Sequence, residues 1–135
     1  MRNLALVTPE YRVMISEKGA ISLITEAMSL HLDDPDLQQA ACMVLWKLSI
    51  DNQVNKADIA HHLGVHAIIR AMQVHPDEAD VQLAACYTLW NIAEQNNKNQ
   101  RAIASAGGIA AIIRALRSHP DDPELQLAAL EALWK

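Results

Sequence analysis

Between Val65 and Val74 the apolar residues Val65, Ile68, Ile69 and Met72 fall on one stripe of a 3.6-residue helix. From Ala79 to Ala93 a second stripe follows: Val81, Ala84, Ala85, Thr88, Leu89 and Ile92. Before them, about Gln53 to His62, lies a short helical stretch marked by Val54, Ala57, Ile59, Ala60 and Leu63. Gly64 is expected to break the chain between the first two, as Gly19 and Gly107-Gly108 do elsewhere. His75-Pro76-Asp77 separates the last two, because proline cannot continue a helix and aspartate caps the next. The pattern predicts a unit of three helices.

That unit repeats. Trp46, Trp90 and Trp134 fall 44 residues apart. Gln38-Gln39-Ala40-Ala41 returns as Gln82-Leu83-Ala84-Ala85 and Gln126-Leu127-Ala128-Ala129. Ala67-Ile68-Ile69-Arg70-Ala71 returns as Ala111-Ile112-Ile113-Arg114-Ala115. A period in the forties points to stacked helices of the armadillo or HEAT kind. Three helices per unit favour armadillo, since a HEAT unit has two. The expected fold is all-α, an armadillo-like right-handed α-solenoid of about three 44-residue, three-helix repeats. The units run approximately 9–50, 51–94 and 95–135, with 1–8 as the tail of a preceding third helix.

Composition fits this picture. The 135 residues are 51% hydrophobic and 20% charged, with no Phe. Ala and Leu carry the apolar content, which suits close helices. The net charge of −5 argues against non-specific nucleic-acid binding. No apolar run approaches the roughly 18 residues of a membrane span. Cys42 and Cys86, without CxxC spacing, suit buried thiols in a reducing compartment, and the cytoplasm or nucleus is the expected location.

The run Ala85-Cys86-Tyr87-Thr88-Leu89-Trp90-Asn91-Ile92-Ala93 resembles the third-helix motif of armadillo repeats of the importin-α and β-catenin kind. The resemblance covers nearly the whole chain. It implies a protein- or peptide-binding scaffold whose third helices line a concave face. In importin-α a Trp and an Asn of this motif line the groove, and the Asn bonds an extended peptide's backbone. Carried over, the Asn rungs are Asn3, Lys47, Asn91 and Lys135, and the Trp rungs Met43, Tyr87 and Glu131. None of the latter is Trp; the tryptophans of this chain stand three residues later. Lys at alternate rungs and few acids poorly suit a basic signal peptide, so a nuclear-transport adaptor is the weaker expectation.

Other repeated residues have structural readings. Trp46, Trp90 and Trp134 are expected to pack between repeats more than to anchor a partner. Gln38, Gln82 and Gln126 are expected to bond neighbouring loops. His31, His75 and His119 are expected to close the second helices, where a cationic ring suits the dipole. His62 and His66 have zinc-compatible i, i+4 spacing, but the turn at Gly64 separates them. Asp33, Asp34 and Asp36 fall at a helix start, where acids are favoured. No phosphate loop, nucleophile elbow or HExxH is present, and neither an enzyme nor a bound cofactor is expected.

The pattern begins and stops inside third helices, with Leu4, Leu6 and Val7 at one end and Leu130, Leu133 and Trp134 at the other. Solenoids normally carry polar caps. Either the segment is excised or engineered from a longer array, or the ends self-associate, head to tail or by swapping.

Overall fold

The computed structural model describes residues 19–134. Helix α1 spans Ala20–Leu30, α2 Pro35–Ser49, α3 Gln53–His61, α4 Gly64–Val74, α5 Ala79–Ala93, α6 Asn97–Ser105, α7 Gly108–Ser118 and α8 Pro123–Trp134. No strand occurs among the described residues. Helices α3–α5 and α6–α8 are successive three-helix units, and α1 and α2 are the second and third helices of the unit before them. The rungs Asn3 and Lys135 and the end residues Leu4, Leu6 and Val7 lie outside the described residues.

Side-chain caps start four of the helices. The Asp34 and Asp122 carboxylates accept the N–H of Leu37 and Leu125, at 3.2 and 3.1 Å. The Asn52 and Asn96 side-chain oxygens accept Asn55 and Asn99 N–H, both at 2.9 Å. Each cap satisfies a backbone donor that has no partner inside the helix. In the middle repeat the expected cap, Asp77, lies one residue early. Glu78 takes the capping position, and its longer side chain makes no capping bond.

The broadest interfaces join α5 to α2 on one side and to α8 on the other, so the third helices form one continuous layer. Leu45, Leu48, Leu89, Ile92 and Leu125 are sealed within it. The second helices α1, α4 and α7 contribute Ile21, Met28, Ile68, Ile69, Met72 and Ile112. Each such side chain contributes about 1.5–3 kcal/mol on leaving water. Small residues set the spacing: Ala84, Ala85, Ala128 and Ala129 are all buried between third helices.

Two expectations about the middle repeat are corrected. Gly64 is not the turn residue but the first residue of α4, and Leu63 takes the left-handed position at φ 62°. Gly19 and Gly107 hold that slot in the flanking repeats, at φ 80° and 88°. Gly64 is required for a different reason. A Cβ there would lie 2.5 Å from the Ile59 carbonyl oxygen, so the backbone of α4 passes too close to α3 for any side chain. The face of α3 also differs. Val54, Ala57 and Leu63 are exposed, while Asn55, Lys56 and Ile59 are buried. Polar burial succeeds because both groups find carbonyls. The Asn55 amide donates to Leu48 O at 2.7 Å, and the Lys56 ammonium donates to Glu94 O at 3.2 Å.

Hydrogen-bond ladders run at the repeat period. The amide nitrogens of Gln38, Gln82 and Gln126 each donate to two carbonyls at the end of the preceding second helix. For Gln82 these are Met72 O at 3.0 Å and His75 O at 2.9 Å. His31, His75 and His119 close their second helices through backbone N–H bonds to Ala27, Ala71 and Ala115. Two of their rings also link repeats: His75 Nε2 lies 2.7 Å from Leu32 O and His119 Nε2 2.9 Å from Pro76 O.

Candidate interaction face on the third helices

Because α2, α5 and α8 lie side by side, residues at equal positions in the 44-residue repeat form rows across the repeats. Met43, Lys47, Tyr87, Asn91 and Glu131 are all half-buried, each with part of its side chain open to solvent. The structure brings the middle members together with two residues outside the expected rungs. Trp46 stacks on Tyr87 with centroids 5.0 Å apart and planes at 15°. Tyr87 in turn lies 6.5 Å from Trp90. The Lys47 ammonium sits 4.0 Å above the centre of the Trp46 ring, a cation–π contact. A half-buried aromatic strip, Trp46–Tyr87–Trp90, therefore runs across the joint between α2 and α5.

The polar groups of this strip are mostly committed inside the protein. The Tyr87 hydroxyl donates to Glu124 Oε1 at 2.9 Å, across the next joint. Burial and the Glu124 carboxylate, with Asp122 nearby, hold the Tyr87 phenol above its ordinary pKa. The Asn91 amide nitrogen donates to Ser49 Oγ at 2.7 Å, and Ser49 Oγ donates to Trp46 O at 2.7 Å. The Asn rung thus ties α5 to α2, committing to the neighbouring repeat one of the two amide N–H donors that the resemblance assigns to a peptide. The Trp90 indole N–H is buried and has no hydrogen-bond partner. Glu131 stands on α8, one repeat along from Tyr87.

Cys42 and Cys86 are free and buried. Burial pushes each thiol up to about 12, with Cys86 adding to the effect on Cys42. The Thr88 hydroxyl lies within bonding distance of Cys42 O, at 2.8 Å, and Ala84 O, at 2.7 Å, and donates to one of them.

A cavity of about 650 Å³ opens between α1 and α4, with Thr25, Glu26, His62, His66 and Arg70 among its walls. His61 and His62 meet edge to face at 5.0 Å. Among the described residues no three His, Cys, Asp or Glu side chains gather as a metal site would require.

Trp46 and Trp90 are the functional candidates that the rung assignment missed as a set. Tyr87 follows Trp46 by 41 residues, one repeat less one helical turn. A search along that diagonal, rather than at equal register, finds the pair.

A stack of three-helix units with a continuous third-helix face is an all-α repeat scaffold, a fold that presents an extended surface. Residues 8–135 match the LRRK2 ARM repeat family, and the chain belongs to it. No curated protein and no solved structure matches the chain. Among the described residues, no helix is long and apolar enough to cross a membrane.

Proposed function

We propose that the chain is a protein-interaction scaffold that binds a peptide or partner helix across its third helices, over the Trp46–Tyr87–Trp90 strip. The carrying observation is the strip itself: three aromatic rings in one row, half-open to solvent, with the Lys47 cation above one end. Aromatic groups that are rigid and partly exposed give large contact area at little entropic cost, which is why such residues dominate binding hot spots. Met43 on one side and Asn91 on the other extend the surface along the helices. The remaining donors of Lys47 favour a partner with carbonyl or carboxylate oxygens at that point. Glu124 and Glu131 lie one repeat further on, so the face changes sign along its length. This alternation does not suit a run of like charges, which weighs against the nuclear-transport reading.

The test is selection of binders from a displayed peptide library, followed by titration against Tyr87→Ala and Lys47→Ala. Binders to this face lose tenfold or more in affinity with Tyr87→Ala and less with Lys47→Ala. Selected peptides that bind both variants as tightly as the parent refute the proposed face.

A further inference from the structure

We propose that the cavity between α1 and α4 is a second binding site, separate from the aromatic strip, and that it takes a short extended segment of a partner protein carrying an aspartate or glutamate. The repeat supplies its own reference, since residues 44 apart hold the same slot. At the joint between α4 and α7, Ile69 fills the space beside α7, with its Cδ1 3.3 Å from where a Cβ on Gly108 would lie. Its counterpart at the joint between α1 and α4 is Thr25, whose side chain is one atom shorter. The Thr25 hydroxyl also turns back along its own helix and donates to Ser22 O at 3.0 Å. That joint holds the cavity of about 650 Å³. Three more departures from the repeat fall on the same cavity. Leu63 takes the left-handed slot of Gly19 and Gly107, and its side chain is 65% exposed at the rim. His62 and His66 stand where the next repeat has Ala106 and Ala110. Backbone strain kept at the edge of a cavity, in a slot that glycine fills without strain in both flanking repeats, points to a use for the side chain.

The walls select the occupant. His62, His66 and Arg70 follow one another at four-residue intervals, and all three are exposed along the side of the cavity that α4 forms. None of their side chains makes a hydrogen bond or ion pair among the described residues. An arginine side chain offers donors alone, and a histidine ring at least one. Glu26 is the single acid among the described residues that line the cavity. A carboxylate therefore meets a wall richer in donors and positive charge than in acids. Met28 and Ala67 add an apolar floor for a neighbouring side chain of the ligand, and Leu63 a lip over it. Ser22 and Ser29, seven residues apart on α1, mark a length of about 10 Å, which matches about three residues of extended chain.

An NMR titration of the isotope-labelled full chain tests this. The probe is the peptide acetyl-Ala-Leu-Glu-Leu-Glu-Ala-amide, and the control is the same peptide with glutamine for both glutamates. The probe shifts the amide signals of Ser22, Ser29, His66 and Ala67, and the control binds about tenfold more weakly. Thr25→Ile, which restores the residue of the Ile69 slot, closes the cavity and abolishes binding. Leu63→Gly weakens binding about tenfold through the lost lip while the urea midpoint does not fall, so the loss cannot come from unfolding. Equal affinity for the glutamine control overturns the proposal, as does a Thr25→Ile chain that binds like the parent. So does the absence of shifts around the cavity, including the case in which the probe shifts only signals of the Trp46–Tyr87–Trp90 strip, which would leave the proposed third-helix face standing alone.

Discussion

Trp46 and Tyr87 belong to different repeats and lie face to face, 5.0 Å apart and within 15° of parallel. The pair closes the joint between α2 and α5 and at the same time forms the middle of the exposed aromatic strip. Stability and the proposed recognition surface therefore share one contact. A double-mutant cycle with Trp46→Ala and Tyr87→Ala should give a coupling energy of about 0.5–1.5 kcal/mol, the usual value for an aromatic pair beyond its buried area. Additive effects in denaturant titrations would mean that the rings do not interact in solution.

Leu63 holds a backbone conformation that its counterparts Gly19 and Gly107 adopt without strain. Its side chain is exposed, so little packing is lost on removal. Leu63→Gly should raise stability by about 0.5–1 kcal/mol, the left-handed strain exceeding the extra backbone entropy. A lower urea midpoint for the variant would refute this.

Gln82 is buried and its amide satisfies two carbonyls at the end of α4. Gln82→Leu leaves Met72 O and His75 O without that donor and should cost about 2–3 kcal/mol. Gln126 makes the matching bonds from a half-buried site, so Gln126→Leu should cost less. Equal losses at the two positions would show that burial does not set the penalty.

The two thiols give a pH dependence of defined sign. In the folded chain both are pushed up to about 12, while the ordinary value is 9.0. Above pH 9 the unfolded chain loses these protons and the folded chain keeps them. Stability is therefore retained below pH 9 and declines as the pH rises from 9 towards 12, by on the order of 1 kcal/mol per thiol for each pH unit. Replacing both with Ala should flatten this decline in urea titrations at pH 8 to 10. The native thiols should also resist alkylation at pH 8 until the chain is unfolded.

The architecture was legible in the sequence because a helical repeat writes the same constraints three times. The third helix Ala79–Ala93 follows from its stripe alone, since nearly every apolar mark on it faces a neighbour. Short α3 was harder. Its buried positions are an asparagine and a lysine, and only the carbonyls of Leu48 and Glu94, on other elements, make that burial tolerable. At Gly64 the sequence shows a glycine but not which of two demands it meets, close approach or left-handed backbone. The placement of Met43, Lys47, Tyr87, Asn91 and Glu131 on the third helices was legible by register. The commitment of Asn91 to Ser49 was not, because a serine at the end of a helix carries no mark of a cross-repeat partner.

Leu63 sits at the corner of the middle repeat, with a neighbour stacked on each side. A strained corner in a terminal repeat can relax by fraying, at the loss of a single joint. In the middle it can relax only if two joints open together. With a neighbour on each side, the left-handed corner at Leu63 is held in place by both joints at once.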